Sequence, residues 1–209
     1  MERERMLLAD YKGSKWRKER MLKFLALSKA TADTSILDVG GDVSTWDGTG
    51  LEAHVTILNL HMPLDRPAPY RWFEGDARDL SAFGDKSFDI VFSNSVIEHV
   101  GSLEDQRRMA AEIVRVGRGF WVQTPNRHFP LEPHYVFPFV QYGSYPVRAA
   151  VAKHWPLSYP QRQKALDPVG ELTEIRLMEE KEVRALFPSA EIYREPMLGL
   201  TKSLVAYQF

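Results

Sequence analysis

Apolar and polar positions along the chain change their spacing several times. From residue 14 to residue 29, Trp16, Leu22, Phe24, Leu25 and Leu27 interleave with Lys15, Arg17, Lys18, Arg20 and Lys23. This spacing predicts an amphipathic helix with one apolar and one basic face. From Thr34 the pattern becomes short apolar runs separated by turn residues. Ile36-Leu37-Asp38-Val39 stops at Gly40-Gly41, and His54 to Leu60, Phe88 to Ser93 and Gly119 to Thr124 follow. Their length and β-branched or aromatic content predict buried parallel strands. Between the last two, Ser102 is placed to cap a helix running to Arg115, with Glu104 or Asp105 in its first turn and Met109, Ile113 and Val114 as its apolar stripe. Strands alternating with helices predict an α/β fold with a doubly wound sheet.

The stretch from Arg127 to Pro160 breaks this rhythm. It holds six of the thirteen prolines and three of the six histidines, so it is neither a regular helix nor a regular strand throughout. Its many aromatic residues, Phe129 to Tyr159, predict an ordered aromatic and proline-rich insertion after the fifth strand rather than a polar linker. A helix from Met178 to Leu186 and two closing strands, at 191–193 and 203–207, complete the pattern.

Composition narrows the function classes. There is no cysteine among the 209 residues, which excludes disulfides, thiolate metal sites and cysteine nucleophiles. The 27 basic and 28 acidic residues give a net charge of −1, where a nucleic-acid-binding domain usually carries an excess of positive charge. No apolar run approaches the roughly 20 residues that span a bilayer, and Met1-Glu2-Arg3-Glu4-Arg5 leads into no signal segment. A soluble, cytoplasmic protein is the expectation.

In open α/β sheets, ligands sit beyond the carboxyl ends of the strands. Four such ends carry polar or glycine residues: Asp38-Val39-Gly40-Gly41-Asp42, Asn59-Leu60, Gly75-Asp76-Ala77-Arg78 and Ser93-Asn94-Ser95. The first loop is neither a dinucleotide fingerprint nor a P-loop. Its two carboxylates, Asp38 and Asp42, disfavour phosphate and suit a ligand bearing an amine, so a nucleoside bound without phosphate is the better physical reading.

The ordered series Ile36 to Gly41, Val55 to Leu60, Gly75 to Leu80 and Asp85-Lys86-Ser87-Phe88-Asp89-Ile90-Val91 through Glu98-His99-Val100 resembles class I S-adenosylmethionine-dependent methyltransferases. The resemblance covers about residues 34 to 126. It implies a Rossmann-like, seven-stranded, mostly parallel sheet with an antiparallel last strand. It also implies one domain over 1–209: an N-terminal helical segment (1–33), a cofactor-binding core (34–126), an acceptor-side insertion (127–175) and a closing helix and strands (176–209). The cofactor would be S-adenosyl-L-methionine, with S-adenosyl-L-homocysteine as product.

Roles follow by position. Asp38 would hold the methionine amino group while the Gly40-Gly41 backbone passes under the ligand, with Asp42 beside it. Asn59, followed by Leu60, would meet the ribose. Asp76 would accept from the adenine amino group, with the Ala77 amide nearby and Arg78 at the rim, and Ser93 and Asn94 would line the methionine wall. Two positions depart from the family pattern: later loop glycines are replaced by Asp42 and Ser44, and the ribose acid by Asn59. An amide still accepts one hydroxyl bond and donates another.

The implied reaction is in-line methyl transfer to a small molecule of the sugar, quinone or lipid-linked precursor class. A hydroxyl acceptor needs a base, and His99, His128 and His134 are the candidates; no metal is expected. Arg127 either holds an acidic acceptor or merely faces solvent, Asp89 reads as structural and Lys202 as a strand-edge lysine. Two other readings compete: an inactive cofactor-binding scaffold, and an interaction module contacting a membrane surface through the basic helix. Oligomeric state is not legible.

Overall fold

A computed structural model describes residues 15–159, 161, 167–173 and 175–209. The charged segment Met1 to Arg5 and the expected helix start at Ser14 lie outside the described residues, as does Pro160. The main sheet has seven strands: β1 (Ile36–Val39), β2 (Val55–Asn59), β3 (Arg71–Glu74), β4 (Phe88–Asn94), β5 (Gly117–Pro125), β8 (Glu191–Met197) and β9 (Leu200–Gln208). They lie in the order β3-β2-β1-β4-β5-β9-β8. Pairs from β3 through β5 are parallel, and β9 runs antiparallel to both β5 and β8. The sheet is the mostly parallel one expected, and the strand order turns back between β1 and β4.

Alternation along the central strands separates two apolar layers. Leu37, Val39, Leu58, Val91 and Val122 pack with Met109 and Ile113 of α2 (Leu103–Val116) and Val183 of α5 (Glu180–Leu186). Ile36, Ile57, Ile90, Phe92 and Trp121 face the other side. There they meet Trp46 and the buried face of α1 (Lys15–Ser28), formed by Met21, Phe24 and Leu25. Phe24 makes edge contacts with Trp46, Phe92 and Trp121 at centroid distances of 5.0–6.0 Å. The apolar face of α1 is thus already committed to the core. Among the described residues no helix is long and apolar enough to cross a membrane.

Ser102 caps α2 in a full capping box with Asp105. Asp89 is structural, accepting bonds from the Ser35 amide and hydroxyl at 2.9 and 2.7 Å. Beyond β5 come the two-residue strands β6 (Leu131–Glu132) and β7 (Phe137–Pro138), then α3 (Tyr145–His154) and α4 (Pro168–Thr173). Tyr135, Val140, Ala152 and Leu172 form a small apolar cluster there.

Only the end of β3, at Gly75-Asp76, was legible, because Arg71-Trp72-Phe73-Glu74 is an edge strand with no buried residue. One expectation needs correction. Lys202 is not on a sheet edge, since β9 is paired on both sides. Its ammonium instead lies 5.3 Å from the centre of the Trp16 ring.

Candidate functional site

The carboxyl ends of β1, β2 and β4 open on two adjoining cavities. One, of about 180 Å³, is lined by Arg17, Arg20, Asp38, Gly41, Asp42, Phe92 and Asn94 among others. The second, about 510 Å³, is lined by Asn59, Leu60, Asp76, Ala77, Arg78, His99 and neighbours. Gly40 and Ser95 line both. This crevice lies where the strand order turns back, the usual ligand position in such sheets.

Asp38 ends up here because the strand alternation points it to the Trp46 side. It is 1% exposed and accepts a 2.7 Å bond from Trp46 Nε1. Burial pushes its carboxyl from 3.8 up to about 7; the Trp46 bond opposes this and nearby Asp42 adds to it. The next turn requires glycine for two separate reasons. Gly40 has φ +71°, and a Cβ there would sit 2.5 Å from Val96. A Cβ on Gly41 would fall 1.8 Å from Asp38 Oδ2, so the loop crosses the carboxylate only without a side chain. Asp42 then caps a 3₁₀ turn over Val43–Thr45, accepting from the Ser44 amide at 2.8 Å. Where the resembling loop has further glycines, this chain has a capped turn.

Asn59 Nδ2 donates to the Gly41 carbonyl at 3.2 Å and so ties β2 to the loop. Asp76 is gripped by the Arg78 amide, Nε and Nη2 at 2.6–2.9 Å, and the hydrogen bonds from Arg78 lower its pKa. Arg78 also reaches the Val100 carbonyl and Asp105. Leu60 and Ala77 border the larger cavity. Ser93 and Asn94 do not share a wall, because successive strand residues face opposite ways. Asn94 lines the smaller cavity, while Ser93 is buried, lines neither, and donates to the Val39 carbonyl at 3.1 Å.

Sequence reasoning missed the two arginines of α1. Arg20 makes a paired bridge to Glu195 at 3.0 and 2.8 Å and a 3.1 Å bond to Gln123. Arg17 and Arg20 line the smaller cavity together with Asp38. The basic residues within the helix pattern were the available signal, but their partners lie far along the chain. Ser95, expected at the strand end beside Ser93 and Asn94, lines both cavities; its φ is +54° and its hydroxyl donates to Gln123.

The three histidines separate into a pair and a single residue. His99 and His134 meet edge to face at 4.9 Å. His134 Nδ1 is 2.7 Å from Glu132 Oε1. Burial opposes its protonation, but the bond to Glu132 and the fields of Glu132 and Glu98 outweigh it and raise its pKa. Desolvation of its ring, and then the field of His134, push the pKa of His99 down to about 4, although part of the residue remains exposed along the crevice. Glu98 is buried beside them, pushed up to about 7 by burial. His128 stands apart, bonded to Tyr142 and Glu179 at the surface, and lines neither cavity. Arg127 lies 6.0 Å from the centre of the Tyr142 ring. The sequence showed no clustered metal ligands, yet the fold assembles Glu98, His99 and His134 into one group.

Comparison with known proteins agrees with this architecture. Residues 48–119 match the family model described as a methyltransferase domain. Two Mycobacterium tuberculosis proteins, MT1557 and Rv1509, both described as uncharacterized, are 35% identical over 132 residues. That match covers 54% of this chain and 43% of each relative, so the chain spans less than half the length of those relatives. An S-adenosylmethionine-dependent methyltransferase from Methanosarcina mazei shares the fold at TM-score 0.52 and 16% identity, over 88% of this chain and 94% of that one. The Burkholderia thailandensis 1,6-didemethyltoxoflavin-N1-methyltransferase, solved with its substrate and S-adenosylhomocysteine, does so at TM-score 0.56 and 14% identity. It covers 95% of this chain and 80% of its own. Residues 48–119 thus resemble a methyltransferase domain, and the chain as a whole shares the fold of these solved methyltransferases.

Proposed function

We propose that the crevice binds S-adenosyl-L-methionine and that the protein transfers its methyl group to a small-molecule acceptor, releasing S-adenosyl-L-homocysteine. One observation carries this reading: a buried acid, Asp38, lines the same small cavity as Arg17 and Arg20, and that cavity opens beside a larger one. The arrangement suits a zwitterionic amino-acid head next to a nucleoside. Asp38 would take the ammonium and the arginines the carboxylate. Gly40 and Gly41 would let the ligand approach the backbone, with Asp42 at the mouth. Asn59, Leu60, Asp76, Ala77 and Arg78 would border the nucleoside, and Asn94 the sulfonium side.

Methyl transfer to such a site is an in-line displacement. The acceptor's lone pair forms the bond to the methyl carbon as the carbon–sulfur bond breaks, and the sulfonium becomes a neutral thioether. The chain's part is mainly to align the two, and positioning contributes up to about 7–11 kcal/mol in well-oriented systems. His99 lines the larger cavity and is neutral near pH 7, so it would accept the proton from a hydroxyl acceptor, although its lowered pKa makes it a weaker base than a free imidazole; His134 would steady it. His128, away from both cavities, is the weaker candidate. The aromatic segment past β5 favours a partly apolar or ring-shaped acceptor of the sugar, quinone or lipid-linked precursor class. The near-zero net charge argues against nucleic acid.

A second reading, a cofactor-binding scaffold without turnover, is favoured by the engagement of Asn59 with Gly41 and of Asp76 with Arg78. The Asp76–Arg78 pair is about one-third exposed, and such pairs are worth about 0–1 kcal/mol, so a ligand opens them at little cost. Thermal unfolding with S-adenosylmethionine, S-adenosylhomocysteine, NAD and ATP tests the proposal. At 100 times the dissociation constant a ligand adds about 2.7 kcal/mol. The melting temperature should then rise by about 5–11 °C with the two S-adenosyl compounds alone. No shift with either, confirmed by calorimetry, overturns it. Binding without turnover on a broad acceptor panel selects the scaffold reading.

A further inference from the structure

We propose that Glu98, His99 and His134 form a divalent-cation site on the crevice wall, of the two-histidine, one-carboxylate type that takes zinc or a neighbouring first-row metal ion. One carboxylate oxygen of Glu98 and one ring nitrogen from each histidine lie within 4.8 Å of one another. Proximity alone would be weak evidence, but three further observations point to a ligand.

Glu98 is 0% exposed and its Oε1 has no hydrogen-bond partner, although Thr124 Oγ1 donates to Oε2 at 3.0 Å. Buried carboxylate oxygens are rarely left without a partner, and an orphan calls for an explanation. His134 is held by a second carboxylate: its Nδ1 lies 2.7 Å from Glu132 Oε1, and Glu132 is itself fixed by the Tyr135 amide at 2.7 Å. A carboxylate on one ring nitrogen fixes the tautomer and leaves the other nitrogen's lone pair for a metal, the usual arrangement behind metal-bound histidine. Finally, Glu98 and Glu132 are both buried and both lie beside the His134 ring, so two carboxylates gather around one imidazole, an excess of negative charge that one dication would offset. With two imidazoles in the set and no thiolate in the chain, the ligands favour zinc, cobalt or manganese over magnesium, which prefers oxygen alone.

His99 lines the larger cavity, so an ion held by these three side chains is reachable from the crevice. Its remaining positions would take an oxygen donor, which makes oxygen-bearing acceptors the matching substrate class; with the ion bound the lone pair of His99 is committed to it, so His99 serves as a free base only in the metal-free protein. The ion's acceptor-side role rests on the methyl-transfer reading above; the ion site itself does not.

The test uses the full chain freed of metal with a chelator, titrated separately with Zn²⁺, Co²⁺ and Mg²⁺ by calorimetry, with visible absorption of the Co²⁺ form. Saturable one-to-one binding of Zn²⁺ and Co²⁺, tighter than Mg²⁺, is expected. Affinity should fall at least tenfold in Glu98→Gln, His134→Ala and His99→Ala, and by about 10–100-fold in Glu132→Gln. His99 is exposed, so its variant should keep the fold whatever happens to the buried positions, as circular dichroism would show. Acetohydroxamate should change the Co²⁺ spectrum if open positions face the crevice. No saturable binding, Mg²⁺ preference, or unchanged affinity in folded His99→Ala overturns the site. An unchanged spectrum with acetohydroxamate overturns its acceptor-side role. Because metal affinity is read without cofactor, failure here is distinguishable from failure of S-adenosylmethionine binding.

Discussion

Replacing Asp38 by asparagine is expected to stabilise the fold while weakening the site. The carboxyl is 1% exposed, and burial pushes it from 3.8 up to about 7. Between those values the native state holds a proton that the unfolded chain has released. This contribution is therefore fully present below pH 3.8 and is lost as pH rises to about 7. At 1.36 kcal/mol per pH unit, the loss is about 4 kcal/mol at pH 8 and about 2 kcal/mol at pH 5. Asparagine has no charge to bury, and its carbonyl oxygen retains the bond from Trp46 Nε1. At roughly 2–4 °C per kcal/mol for a chain of this size, Asp38→Asn should melt up to about 8–16 °C above the parent at pH 8, and by less than half that at pH 5.

Binding should move the other way. An ammonium beside Asp38 favours the carboxylate, so affinity for S-adenosylhomocysteine should rise roughly fivefold from pH 6 to pH 7 as the ionised fraction grows. It should level off where the ligand's own amino group titrates, near about 8. Asp38→Asn should bind at least tenfold more weakly at pH 7.5 and lack the rise. Thermal unfolding at the two pH values and calorimetric titrations between pH 6 and pH 7.5 read both effects. A lower melting temperature at pH 8, or parallel binding curves for the two proteins, would refute the reasoning.

Three further outcomes are expected. Gly41→Ala places a Cβ on the Asp38 carboxylate and should reduce S-adenosylhomocysteine affinity at least tenfold by calorimetry; unchanged affinity would mean the loop does not form the floor of the site. Arg20→Met strands Glu195, whose side chain is 6% exposed, and should cost about 3–5 kcal/mol in denaturant unfolding. The double variant with Glu195→Gln should recover part of that loss. Ser102→Ala removes the capping box of α2 and should cost about 1 kcal/mol, seen as a melting temperature about 2–4 °C lower.

Much of the sheet was legible because its central strands carry their own signal. Ile36, Leu37 and Val39 are fully buried with their neighbours on both layers, and such strands must be apolar wherever the chain places them. The α2 cap was legible because Ser102 and Asp105 act within one turn. Strand β3 was hidden because an edge strand pairs on one side and keeps its side chains partly in water, so charge is tolerated. Site residues divide in the same way. Asp38, Gly40 and Gly41 act where they stand in the chain, and their residue types announce a turn over an acid. Arg20 meets partners 103 and 175 positions away, and His134 reaches His99 only through the path of the chain past β5. Ser93 was misplaced by a single step of strand parity. The motif gave the wall, but which of two adjacent side chains faced it depended on the register of β4.

The bridge from Arg20 to Glu195 also bears on how the chain is made. Residue 20 leaves the ribosome long before residue 195 is synthesised; at roughly 5–20 residues per second the delay is about 10–35 s. Meanwhile α1 has neither its ionic anchor nor Trp121, the β5 ring against which Phe24 packs. Helix α1 is therefore made well before it can dock, and the crevice wall bearing Arg17 and Arg20 is completed only once β8 and β9 have been made. Slowing elongation over the final strands would prolong the exposure of Met21, Phe24 and Leu25 on the nascent chain and lower soluble yield, even with every residue of the finished protein unchanged.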